Sequence, residues 1–126
     1  MKLDIDRLNV RTYGRGSGKT VRMIANLMGN VGYPEGYKDH VVVVPSGRGR
    51  RDHMVRSILD VATAMGEPIR GRRLHLIEFA NGANVRVVSP ENIESLRGCR
   101  YRMFYEPWDF GTVDRERLSR WEQLGI

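Results

Sequence analysis

The chain has 126 residues, of which 40% are hydrophobic and 29% are charged, which is typical of one globular domain with a single modest core. No apolar run approaches the ~20 residues of a membrane-spanning helix, and residues 1–6 alternate charged with apolar side chains, unlike a secretory signal. The formal net charge of +6 favours a polyanionic partner, and the single cysteine, Cys99, fits a reducing cytosol. We therefore expect one domain over residues 1–126 that has no membrane partner.

The first third of the chain alternates between strand and helix patterns. Residues 8–13 have apolar or β-branched side chains at alternate positions, which predicts a strand. A glycine-rich stretch follows, and residues 19–28 then carry apolar side chains at helical spacing. The valine run in residues 40–44 predicts a strand buried on both faces, which is typical of parallel sheets.

The rest of the chain continues the alternation. The pattern predicts an amphipathic helix over residues 51–65, a hairpin formed by residues 73–79 and 84–88, a short helix from Pro90, a strand over 101–105 and a surface helix over 114–123. We expect an α/β fold of the P-loop NTPase type, with a mostly parallel sheet flanked by helices and an inserted β-hairpin.

The stretch Gly14-Arg15-Gly16-Ser17-Gly18-Lys19-Thr20 lies between the first predicted strand and the first predicted helix. Its glycines leave space for backbone N–H groups to face phosphate oxygens, and the helix that follows adds a favourable dipole. In such a loop Lys19 reaches the β- and γ-phosphates of ATP, the Thr20 hydroxyl holds Mg²⁺, and Ser17 adds a hydroxyl or backbone contact. Tyr13 occupies the place of the usual first glycine.

A phosphate-binding loop works with a carboxylate at the end of a neighbouring buried strand. Glu106 is the first acidic residue after the predicted strand 101–105, and we assign it to the metal and to catalysis. Pro107 stands where an adjacent second carboxylate is expected, so Asp109 is the candidate for orienting the attacking water. The alternative for Glu106 is a surface carboxylate that caps or pairs.

Two arginines are further candidates. Arg15, within the glycine-rich stretch, is placed to stabilise charge that develops on the γ-phosphate; the alternative is an outward-facing loop residue. Arg97 precedes the acidic strand and is either a nucleotide sensor or a surface ion-pair former. The three histidines share no ligand-like spacing with Cys99, which argues against a metal site made of these residues.

The sequence from Tyr13 to Thr20 resembles the Gly-Gly-Arg-Gly-Ser-Gly-Lys-Ser/Thr loop of viral large-terminase packaging ATPases. The order of helix, valine-rich strand, basic helix and hairpin after the loop is also similar to that family. So is Ser95-Leu96-Arg97-Gly98, which stands before the acidic strand. The resemblance covers roughly residues 8–110.

This resemblance implies an ATPase that assembles as a homo-oligomeric ring, or with other packaging-motor subunits, and moves double-stranded DNA into a procapsid in the host cytoplasm. It implies ATP and Mg²⁺ as cofactors, Arg15 as the loop arginine, Lys19 and Thr20 on phosphates and metal, and Glu106 as the acidic residue. The nuclease domain of the family has no counterpart in the sequence, so we expect a minimal ATPase, one piece of a split one or a degenerate relative.

Two alternatives are compatible with the same residues. The first is a non-hydrolytic P-loop module that binds nucleotide or nucleic acid, which is favoured by Pro107 in place of the second carboxylate. The second is a small nucleotide kinase, which is weaker because the sequence has no obvious lid or acceptor-binding segment.

Overall fold

The computed structural model describes residues 19–32, 38–97, 100–107 and 110–123. The predicted strand 8–13, the glycine-rich stretch as far as Gly18, Cys99 and Asp109 lie outside these ranges. In chain order the elements are α1 (Lys19–Gly32), β1 (Asp39–Val43), α2 (Arg50–Ala64), β2 (Ile69–Arg73), β3 (Leu76–Phe79), β4 (Asn84–Val88), a 3₁₀ helix (Pro90–Leu96), β5 (Tyr101–Tyr105) and α3 (Thr112–Gln123). None of the described helices has the length and apolar character needed to span a bilayer.

The five strands form one sheet in the order β2-β3-β4-β1-β5. β1 runs parallel to both of its neighbours, with His40 opposite Val85 of β4 and opposite Arg102 of β5. β3 pairs antiparallel with β4 on one side and with β2 on the other. The sheet is therefore mixed.

The prediction of a mostly parallel sheet of the P-loop type is wrong. Only Leu74 and His75 separate β2 from β3, and only residues 80–83 separate β3 from β4. A parallel connection needs a crossover of a dozen or more residues, so links this short can only join antiparallel strands. The predicted hairpin around Asn81-Gly82 is confirmed as the β3–β4 pair, with Gly82 at a left-handed φ of 92°.

Sequence reading also missed β2 and placed its last residue, Arg73, in the following strand. β2 is the edge of the sheet, and its sequence Ile-Arg-Gly-Arg-Arg has a single apolar side chain. Strand patterns are recognised by a buried face, and an edge strand that is exposed over most of its length has none. β2 instead has a polar contact with its neighbour: Arg70 Nη2 donates to Glu78 Oε2 of β3 at 2.7 Å.

The two faces of the sheet are covered by different helices. α1 and α2 pack on one face over alternate strand residues, which include Val42 of β1, Val87 of β4 and Phe79 of β3. The 3₁₀ helix and α3 cover the other face, where Val41 and Val43 meet Ile93, Leu96 and Trp121. β1 is buried on both faces from His40 onward, as its valine run predicts.

We expect Leu27→Ala in α1 to lower the free energy of unfolding by about 2–5 kcal/mol, because Leu27 is fully buried in the core and its loss leaves a cavity. Urea denaturation followed by circular dichroism measures the change. The control is Asn26→Ala, since Asn26 is the exposed neighbour on the same helix. Equal stabilities of the two variants would show that α1 does not pack on the sheet through Leu27.

Candidate functional site

The three parallel strands end along one edge of the sheet. β4 ends at Val88, β1 at Val43 and β5 at Tyr105. Backbone pairing continues one residue further, where Val44 N–H donates to Val88 O and Glu106 N–H donates to Val43 O, both at 2.9 Å. Ligands of α/β proteins bind beyond the carboxyl ends of such strands, so this edge is the natural place for a site.

Two contacts fix the direction of α1 across the sheet. Near its C-terminus, Arg102 Nη1 at the start of β5 donates to Asn30 Oδ1. Asn81 Nδ2, in the turn that leads into β4, donates to Val31 O at 2.8 Å. The C-terminus of α1 therefore lies at the amino ends of the parallel strands, and the helix runs antiparallel to them. Its N-terminus, at Lys19, points toward the edge where the parallel strands end.

Lys19 and Thr20 are the first two residues of α1, with Lys19 exposed and Thr20 half-buried. The helix thus begins directly after the glycine-rich stretch, as the sequence predicts. The first four N–H groups of an α-helix have no partners within the helix, and together with the helix dipole they favour an anion at this end. The candidate residues Gly14, Arg15, Gly16, Ser17 and Gly18 lie outside the described residues.

Glu106 follows β5 at the same edge and is half-buried. Burial raises the pKa of Glu106 to about 7, and the positive charge of Arg50 opposes that shift. Since a carboxyl pKa near 7 leaves the group ready both to accept and to give up a proton, Glu106 suits acid–base chemistry at neutral pH. Sequence reading found Glu106 from its place after an apolar strand, but it missed Arg50.

The loop between β1 and α2 is held by a contact from the far end of the chain. Asp114 of α3, only 6% exposed, accepts hydrogen bonds from the backbone N–H of Ser46 at 2.8 Å and from Ser46 Oγ at 2.7 Å. Gly49, at a left-handed φ of 77°, then turns the chain into α2. The contact thus holds the loop that leads into α2, whose first residue is Arg50. The Pro-Ser-Gly-Arg-Gly run after the valine strand marks the loop but not its contact with Asp114.

The structure also describes the candidate Arg97 and the environments of two histidines. Arg97 is exposed immediately after the 3₁₀ helix. His40 is buried at the start of β1, where its ring stacks on Phe104 with centroids 6.4 Å apart, and burial lowers the pKa of His40. His75 Nε2 lies 2.9 Å from Asp52 Oδ1 of α2.

Over the described ranges, no three His, Cys, Asp or Glu side chains are grouped as they would be around a metal ion. Mg²⁺ in nucleotide sites keeps several waters and takes only one or two protein carboxylates besides the phosphates. A hydroxyl such as that of Thr20 and a carboxylate such as that of Glu106 are oxygen ligands of the kind it prefers. The chemistry of this donor set therefore fits Mg²⁺ bound together with a polyphosphate.

Comparisons with protein-family models, with curated proteins and with solved structures found no match to this chain. Membership of the terminase family therefore stays a prediction.

We expect Glu106→Gln to stabilise the fold at pH 8 and to change it little at pH 4. The pKa of Glu106 is raised above the unfolded value, so its contribution to stability is complete below pH ~4.5 and is lost as the pH rises to about 7. Each pKa unit corresponds to ~1.4 kcal/mol of stability, and solvent screening reduces the total for a half-buried group. We therefore expect a gain of about 1 kcal/mol at pH 8. Thermal unfolding of both proteins at the two pH values measures it. The stability difference between Glu106→Gln and wild type should be more favourable to the variant at pH 8 than at pH 4. The opposite result would contradict the raised pKa.

Proposed function

We propose that the chain binds ATP through residues 14–20 and hydrolyses it as a subunit of a viral double-stranded DNA packaging motor. One observation carries the nucleotide site: the glycine-rich stretch leads into a helix whose N-terminus points to the sheet edge where Glu106 is half-buried. A phosphate-binding sequence, a helix N-terminus and a buried carboxyl are the parts that phosphoryl transfer requires in one place.

In this proposal backbone N–H groups of Gly14, Gly16 and Gly18 surround the phosphates, with Ser17 adding a contact. Lys19 places its ammonium on the β- and γ-phosphates. Thr20 and Glu106 would hold Mg²⁺ through oxygen, and the ion would supply charge neutralisation of the phosphates.

Glu106 contributes to catalysis from the metal side: burial raises its pKa to about 7 without a metal, and Mg²⁺ would hold the carboxylate ionised. Asp109 orients the water that attacks the γ-phosphate and takes its proton. Arg15 stabilises the charge that develops on the γ-phosphate, alone or with an arginine from a neighbouring subunit of a ring. Arg50, whose positive charge acts on Glu106, adds a cation that was not among the predicted site residues.

The proposed partners follow from the resemblance to viral packaging ATPases and from the net charge of the chain. The net charge of +6 favours contact with the phosphates of double-stranded DNA. A homo-oligomeric ring or other packaging-motor subunits in the host cytoplasm would complete the motor.

A non-hydrolytic nucleotide-binding module is the second candidate. Pro107 follows Glu106 directly, so the acidic strand ends in one carboxyl rather than two. Water activation then depends on Asp109 alone. If Asp109 does not suffice, the chain binds ATP without hydrolysing it.

Lys19→Ala is expected to weaken ATP binding at least tenfold and to abolish turnover, because it removes the ammonium from the β- and γ-phosphates. Isothermal titration calorimetry with MgATP measures the affinity, and phosphate release measures turnover with and without DNA over a range of protein concentrations. Arg22→Ala, which removes an exposed cation one turn further along α1, is the matched control and should bind as wild type does.

The outcomes separate the candidates. Absence of MgATP binding by the wild-type chain overturns the proposal as a whole. Binding without phosphate release under any of these conditions supports the non-hydrolytic module and overturns the ATPase.

A further inference from the structure

Within the described chain, the β2–β3 end of the sheet is covered by helices on one face and open on the other. On the covered face Ile77 and Phe79 of β3 are fully buried among residues of α1 and α2. On the open face Arg73, Leu76 and Arg86 lie side by side across β2, β3 and β4, because each is paired in register with the next. Leu76 is half-buried and, within the described ranges, belongs to neither core cluster. This face therefore keeps apolar surface that a partner can cover.

A groove of about 530 Å³ lies on the open face, between the turn that joins β2 to β3 and the 3₁₀ helix. Arg51, Arg73 and Arg86 line it and form its positive side. Glu91 and Glu94, on the 3₁₀ helix, line it and form its negative side. Among the described residues, neither glutamate forms an ion pair with an arginine across the groove. Two opposite charges thus face each other across an open space.

Leu74 stands at the tip of the β2–β3 hairpin, at the end of the groove, and is 78% exposed. Its φ of 39° is in the left-handed region, where a leucine is strained and a glycine or asparagine is not. His75, the next residue, holds the turn against α2, since its Nε2 lies 2.9 Å from Asp52 Oδ1. The turn therefore presents an apolar side chain to solvent from an anchored position, at a cost in strain that no packing in the described chain offsets.

The two sides of the groove select the kind of partner. A polyanion such as nucleic acid gains from the positive side but is repelled by the negative side, and a purely basic segment meets the opposite problem. The matching surface carries both charges in the reverse order. A second copy of the chain, related by a twofold axis that runs along the groove, has that order, because its negative side then faces the positive side of the first copy.

We propose that two copies of the chain pair face to face through this groove, with the positive side of each copy against the negative side of the other. The twofold axis runs along the groove, and Leu74 of each copy adds apolar contact at its end. Such a contact is isologous, so it closes on two copies. The inference goes beyond the proposed function and does not depend on it, since a ring is built from head-to-tail contacts through other surfaces.

Solvated surface charge is the competing explanation for the two sides of the groove. It does not account for a strained, exposed leucine at the turn, where glycine or asparagine would cost less. The net charge of +6 opposes pairing at long range. At ~0.15 M salt, however, charges more than about 8 Å apart are largely screened, whereas charges in contact across the paired grooves are screened much less.

Self-association is measured by sedimentation equilibrium at ~0.15 M salt over about 1–200 μM protein. Wild type should change from the chain mass of 14.5 kDa to twice that mass as its concentration rises. Wild type that stays at the mass of one chain over the whole range overturns the proposal.

Charge reversal tests the two sides of the groove. Arg51→Glu/Arg86→Glu makes the positive side mainly negative, and Glu91→Arg/Glu94→Arg makes the negative side positive. Each variant alone should pair at least about tenfold more weakly than wild type, because like charges then meet twice. An equimolar mixture of the two variants should pair as wild type does, because opposite charges meet again. A mixture that does not pair, although both variants are folded by circular dichroism, overturns the proposal.

The matched control is Arg115→Glu/Arg120→Glu, which changes the net charge by the same amount at exposed positions on α3. It should pair as wild type does. Pairing that weakens equally in this control and in Arg51→Glu/Arg86→Glu would show that net charge, and not the groove, governs association, and would overturn the proposal.

Leu74→Gly tests the apolar contact and decides the matter if a charge-reversal variant fails to fold. It removes the side chain and relieves the strain at a φ of 39°. The melting temperature should stay the same or rise, while the dissociation constant of the pair should increase severalfold. An unchanged dissociation constant overturns the contact through Leu74.

MgATP binding, measured on the same samples, keeps the two proposals apart. Wild type that pairs through the groove but binds no MgATP overturns the proposed function alone. Wild type that binds MgATP but does not pair, or that forms a larger assembly which both charge-reversal variants retain, overturns the inference about the groove.

Discussion

The rest of the structure depends on β1 being paired in parallel with a strand on each side. Its run of β-branched residues is buried on both faces, so helices must cover both sides of the sheet around it. Parallel pairing also requires crossovers, and it brings the ends of β4, β1 and β5 to one edge. Half-buried Glu106 and the loop that precedes α2 stand at that edge as a direct consequence.

Sequence patterns predicted the elements with a strong buried face and failed at the exposed edge. The valine strand, α2, the Asn81-Gly82 hairpin and α3 were predicted within a few residues of their observed bounds. β2 was missed because its arginines give no buried face, and the sheet was predicted as mostly parallel because the strand–helix alternation of the first half was carried into the second. Two short turns, which only antiparallel strands can use, reverse that pattern.

The same division holds at the candidate site. Lys19, Thr20 and Glu106 stay predictions as site residues, and each rests on a local signal: a glycine-rich stretch before a helix, or an acid after an apolar strand. The influence of Arg50 on Glu106 was not predicted, and the loop that precedes Arg50 is held by a contact between Ser46 and Asp114, which are 68 residues apart in sequence. Such a contact depends on the packing of α3, and a single sequence carries no local pattern for it.

The first turn of α2 interacts both with Glu106 and with the turn between β2 and β3. Arg50 acts electrostatically on Glu106, and Asp52, two residues later, is hydrogen-bonded to His75 at the hairpin tip. Two residues along a helix span about 3 Å, too short a length to bend. The first turn of α2 therefore keeps the cation that acts on Glu106 and the carboxylate that contacts His75 at a fixed spacing.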